Sequence, residues 1–77
     1  GRENSVFAYL AMVKNKDNME QVAAILSCIA DEAVMTQPAI EYRLQQLEKL
    51  KEIGEEEIYK KIREELKDNP NYSSYLV

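Results

Sequence analysis

The alternation of apolar and polar positions along the chain predicts helices. Residues 19–35 form the most apolar stretch, with Ala, Val, Ile, Leu, Met or Cys at 12 of 17 positions. On a helical wheel, Glu20, Ser27 and Asp31 share one narrow polar line, and the apolar residues fill an arc wider than a half-turn. A helix that is apolar over so much of its surface must be covered from several sides. We therefore expect it at the centre of a small bundle.

Helix-breaking and capping residues divide the chain into four helical segments. Residues 15–18 form a polar break, and Pro38 suits a first helical turn while disfavouring helix at the residue before it. Gly54 stands where a left-handed C-terminal cap is expected. Residues 68–77 remain as a short tail. The predicted helices lie at about 5–14, 18–34, 37–53 and 55–67. The sequence thus predicts one all-α domain over residues 1–77, a bundle of about four helices around a central apolar helix.

Size and composition limit how such a domain is stabilised. A chain of 77 residues is near the lower limit for a self-sufficient core, so it often needs a disulfide, a metal or a partner. Cys28 is the single cysteine and there is no histidine, which rules out an internal disulfide and disfavours a zinc site. A single thiol without a targeting segment suggests the reducing cytoplasm. The sequence begins with Gly-Arg, so an origin in a larger protein stays open.

Catalysis is not predicted. Without histidine, neither Ser–His nor Cys–His chemistry is available, and Cys28 has no basic residue at helical spacing to lower its pKa. The two glycines, Gly1 and Gly54, do not form a phosphate-binding loop. We expect no cofactor, no metal, no small-molecule substrate and, because no apolar run approaches 18 residues, no membrane span.

The expected function is that of a non-enzymatic protein-interaction or assembly module. Its helices carry more apolar surface than a domain of this size covers comfortably, so we expect a protein partner or a homodimer. The predicted partner-binding residues are aromatic or basic side chains at the margins of the apolar stripes, since such residues are enriched in binding hot spots. They are Phe7, Tyr42, Arg43 and Tyr59.

The alternative is a helix-turn-helix DNA-binding domain. The string Thr36-Gln37-Pro38-Ala39-Ile40, followed by Leu44 and Leu47-Glu48, resembles the recognition-helix region of LysR-type transcriptional regulators. This resemblance implies a helix whose N-terminal residues reach base edges in the major groove. The DNA-binding residues would then be Thr36, Gln37, Arg43 and Lys49. The net charge of −4 disfavours nonspecific nucleic-acid binding, and a proline-initiated helix of an interaction module explains the same string.

Residues 69–72 carry a further short pattern. Asn69-Pro70-Asn71-Tyr72 matches the Asn-Pro-x-Tyr turn that phosphotyrosine-binding-type adaptor domains recognise. The other interpretation is a turn that stops the preceding helix.

Overall fold

Three α-helices make up most of residues 8–76, the part of the chain that the computed structural model describes. They are α1 (Met19–Ala30), α2 (Gln37–Glu52) and α3 (Glu56–Lys67). Short 3-10 helices lie at Lys16–Asn18 and Ser73–Tyr75, and residues 8–10 are also helical. No strand occurs within residues 8–76. The predicted all-α bundle is confirmed.

The most apolar helix is shorter than predicted. α1 ends at Ala30, where the prediction continued to residue 34. Asp31 has an extended backbone, with φ −75° and ψ 112°, and its carboxylate accepts a hydrogen bond from the Ala33 N–H at 3.0 Å. Such local side-chain bonds compete with the helical ladder. The first predicted helix also ends early, since residues 11 and 12 already form a turn.

The boundaries of α2 and α3 lie close to the predicted ones. Thr36 is the extended N-cap of α2, and Pro38 falls in its first turn, as predicted. Gly54 has φ +89°, the left-handed conformation expected after a helix end. α3 begins one residue later than predicted, because Glu55 occupies its N-cap position.

The helices bury one aliphatic stripe each. α1 buries Val22, Ile25, Leu26 and Ile29; α2 buries Ile40, Leu47 and Leu50; α3 buries Ile58, Ile62 and Leu66. Among the described helices, α2 is the one that packs against both others. The outer side of α1 carries Ala24 and Ser27, whose small side chains are exposed.

The C-terminal tail folds back onto the bundle. Tyr72 is 1% exposed and belongs to the core, and Leu76 packs against the core's edge. Asn69 builds the turn: its Oδ1 accepts from the Asn71 N–H at 2.9 Å and its carbonyl accepts from the Tyr72 N–H at 3.0 Å. The Asn-Pro-x-Tyr string therefore forms a turn that places Tyr72 in the core. A buried tyrosine is not accessible to an adaptor domain.

Leu26→Ala should lower the free energy of unfolding by about 2–5 kcal/mol, because truncating a buried leucine leaves a cavity. Leu26 is 3% exposed. Urea denaturation followed by circular dichroism measures the change. Ser27→Ala, at the exposed neighbouring position, is the control and should stay within about 0.5 kcal/mol of the parent. A near-parental midpoint for Leu26→Ala would contradict the placement of this face in the core.

Candidate groove between two helices and the C-terminal segment

A groove of about 330 Å³ lies between α2, α3 and the C-terminal segment. It brings together side chains that are far apart in sequence. Its lining residues are Glu41, Leu44, Gln45, Leu47, Glu48, Tyr59, Arg63, Tyr75 and Leu76. Aliphatic and aromatic groups are thus combined with two carboxylates and one guanidinium on a single surface.

Helical spacing explains how the groove is built. Leu44 and Glu48 are four residues apart on α2, and Tyr59 and Arg63 are four residues apart on α3, so each pair lies on one helix face. The 3-10 helix Ser73–Tyr75 supplies the third side. The groove therefore depends on the fold-back of the C-terminal segment.

Tyr59 is held in place by contacts to α2. Its hydroxyl donates to Glu48 Oε1 at 3.2 Å, and Lys51 Nζ lies 5.7 Å from the ring centroid, within cation–π range. The half-buried ring is therefore fixed before any ligand arrives. A side chain with restricted freedom loses less conformational entropy on binding.

The other wall is more exposed. Tyr75 is 39% exposed, and Arg63 Nη2 reaches the Leu76 carbonyl at 3.5 Å. Arg63 thus connects α3 to the last described residue and leaves part of its guanidinium at the groove. Tyrosine and arginine are among the residue types most enriched at interface hot spots.

The predicted partner-binding residues lie in different places in the fold. Tyr59 lines the groove, as described above. Tyr42 is exposed, with 55% of its surface accessible, but it lies outside the groove lining. Phe7 lies outside the described residues.

Arg43, which was predicted to bind a partner or DNA, is placed in the interior rather than at the surface. Arg43 is 7% exposed. Its Nε donates to the Cys28 carbonyl at 3.2 Å, and its Nη1 donates to the Val34 carbonyl at 2.7 Å. The side chain therefore ties the end of α1 and the following loop to α2. The sequence contained a signal for this, because position 43 lies on the same face as Leu47 and Leu50.

The residues predicted to contact DNA do not form one basic surface. Thr36, Gln37 and Lys49 are exposed, whereas Arg43 is engaged by backbone carbonyls. Gln37 Nε2 donates to Glu41 Oε1 at 3.2 Å. The Glu41 carboxylate thus lies at the N-terminal end of α2, the end that a recognition helix presents to the groove of DNA. A carboxylate there repels phosphate.

Leu44, Arg63 and Tyr75 were not among the predicted site residues. Arg63 belongs to no motif of the sequence, and Tyr75 lies in the short tail, for which the sequence predicts no structure. Only the packing of the tail against α2 and α3 makes them neighbours.

Two kinds of site are absent from residues 8–76. No group of three or more Cys, Asp or Glu side chains there is arranged to hold a metal ion. No helix in that range combines the length and apolarity needed to cross a bilayer. In comparisons with known proteins, no family model matches the chain, and no curated protein or solved structure is significantly similar to it.

Arg43→Met should destabilise the domain by about 1–3 kcal/mol, because the carbonyls of Cys28 and Val34 lose the charged donor that the buried Arg43 side chain supplies. The matched control is Lys49→Met, which removes an exposed cation from the same helix and should change stability by less than about 0.5 kcal/mol. Thermal and urea denaturation measure both variants. Equal stability of the two would contradict the structural role of Arg43.

Proposed function

We propose that this chain is a non-enzymatic helical interaction module that binds a partner polypeptide in the groove between α2, α3 and the C-terminal segment. The observation that carries the proposal is the combination, in one groove, of a pre-positioned Tyr59 with Tyr75 and Arg63. Apolar contacts from Leu44 and Leu76 add buried area at the same place.

The size and chemistry of the groove favour a polypeptide ligand. A volume of about 330 Å³ accommodates anchoring side chains of a bound segment rather than a large cofactor. Aromatic and aliphatic side chains bury the anchors, and the charged groups at Glu41 and Arg63 give orientation and specificity. Helix-lined grooves bind amphipathic segments in this manner.

A second copy of the chain would also be a polypeptide occupant of the groove. The domain is small, and exposed apolar side chains also include Val34 and Tyr42, each 55% exposed. Association would bury such surface. Sedimentation equilibrium from micromolar to millimolar concentration distinguishes a homodimer from a monomer that awaits another partner.

A single free cysteine, Cys28, is compatible with the reducing cytoplasm, where we place this function.

Peptides selected from a displayed random library against the whole chain should bind in the groove. Tyr75→Ser should weaken the selected peptides about tenfold, because it removes an aromatic contact. Tyr42→Ser is the matched control: it removes the same side chain from a more exposed position outside the groove and should leave affinity within about twofold. Fluorescence anisotropy with labelled peptides measures both. Loss of binding in Tyr42→Ser alone would move the site to the Tyr42 face, and no selected binder at all would contradict the proposal.

Duplex DNA should not bind with the salt dependence of a specific DNA-binding domain. Arg43 is buried and Glu41 lies beside Gln37, so α2, the helix that resembles a recognition helix, presents few phosphate-binding groups. Anisotropy of labelled random duplex DNA at low salt should stay flat at micromolar protein. Binding that falls steeply as salt is added would instead support the helix-turn-helix alternative.

A further inference from the structure

Three glutamates, Glu55, Glu57 and Glu65, contact the segment before α1. We call residues 8–15 the strap. Its Lys14 Nζ lies 3.6 Å from Glu57 Oε1, near the start of α3. Its Tyr9 lies beside Glu65, near the end of α3, where burial and, after it, a hydrogen bond with this carboxylate raise the pKa of the phenol above its ordinary value of 10.0. The strap therefore runs antiparallel to α3.

The strongest of these anchors is Glu55, at the N-cap of α3. Its side chain is almost fully buried, with 2% of the residue exposed. The backbone N–H groups of Lys14 and Asn15 donate to its two carboxylate oxygens at 2.9 and 3.2 Å. Asn18 Nδ2 donates to Glu55 Oε2 at 2.7 Å and also to the Ile53 carbonyl at 3.2 Å. The Glu55 carboxylate thus joins the end of the strap to the turns that precede α1 and α3.

The apolar packing of the strap is shallow by comparison. Tyr9, Leu10, Met12 and Val13 pack against the core, but each is only partly buried, and no residue of the strap is fully buried. Each of the three α-helices, in contrast, contributes at least three buried apolar side chains.

An open cleft of about 490 Å³ separates the strap from the outer side of α3. Ala8, Tyr9 and Met12 line one wall, and Lys60, Lys61, Glu64 and Glu65 line the other. The strap therefore contacts the surface of α3 incompletely. Segments with few buried contacts open at lower free energy than the core does.

We propose that the strap is a detachable element latched by Glu55, which opens when the Glu55 carboxylate is lost or protonated while α1, α2 and α3 remain folded. Opening uncovers the core side chains against which Leu10 and Val13 pack. The device is a carboxylate latch: the anion accepts three N–H donors, and a neutral side chain does not satisfy all three.

The direction of the pH response follows from the surroundings of Glu55. Burial raises the pKa of this carboxyl, but the hydrogen bonds from Lys14, Asn18 and Asn15 and the charge of Lys14 outweigh burial and lower it below the ordinary 4.5. The contribution of Glu55 to strap docking is therefore complete above pH 4.5 and is lost as pH falls through the lowered pKa. The other charged side chains on the elements that meet at Glu55 are Lys14, Lys16, Asp17, Lys51, Glu52, Glu56 and Glu57.

Amide hydrogen exchange of the whole chain tests the latch. Glu55→Gln keeps the shape of the side chain and removes its charge. At neutral pH, the amides of residues 12–15 should exchange about tenfold faster than in the parent, equivalent to about 1.4 kcal/mol, while the amides of Leu47 and Leu50 in α2 keep their protection. Glu56→Gln, an exposed glutamate one position along, is the matched control and should leave both regions unchanged. Equal acceleration in the strap and in α2 would show that the strap opens only with the whole domain, and unchanged exchange of the strap would show that Glu55 does not hold it; either result overturns the proposal.

Two further measurements apply if Glu55→Gln does not fold. Asn18→Ala removes one of the three donors and should accelerate the strap amides selectively, by less than Glu55→Gln is expected to. In the unmodified chain, lowering the pH from 6 to about 3 should release the strap amides, after correction for intrinsic exchange rates, before those of α2. Simultaneous loss of protection in both regions, or release of α2 first, contradicts a separate latch.

Discussion

The buried carboxylate of Glu55 is the interaction that fixes where the segment before α1 meets the start of α3. An ionised carboxylate in an apolar interior costs several kcal/mol unless its oxygens are hydrogen-bonded. Here the donors come from Lys14, Asn15 and Asn18, about 40 residues earlier in the sequence. The segment before α1 and the turn before α3 must therefore meet for either to be satisfied. Hydrophobic burial favours compaction without direction, and this carboxylate specifies which ends come together.

Arg43 performs a comparable task at another joint. Its guanidinium is satisfied by the carbonyls of Cys28 and Val34, so it fixes the course of residues 31–36 between α1 and α2. Arg43 and Glu55 are the buried charged residues of the described chain, and both are matched to polar groups at helix ends. Helix termini leave unpaired backbone groups, so the two buried charges and the helix ends satisfy part of each other's hydrogen-bonding needs.

These roles change which residues are available for function. Because Arg43 is buried and bonded to two carbonyls, the interaction surface that we propose is the groove of Tyr59, Arg63 and Tyr75 instead. Tyr59 serves both purposes, since its contacts to Glu48 and Lys51 stabilise the helix pair and also orient the ring at the groove. The tail is equally part of the fold and of the candidate site, because Tyr72 anchors it in the core and Tyr75 lines the groove.

The sequence by itself determined the helical class, the start of α2 at the Thr36–Pro38 boundary and its end near Gly54, and the buried stripes. These features depend on local backbone preferences and on the 3.6-residue period, which are encoded over short stretches. Only the tertiary structure decided that α2 packs against both α1 and α3, that Glu55 and Arg43 are buried, and that Tyr75 and Tyr59 line one groove. Each of these depends on contacts between residues distant along the chain, where no local pattern shows which polar group will find a partner. From the sequence, a glutamate at a helix start, such as Glu55, is expected to be exposed. Its burial follows only once its hydrogen-bond donors are known.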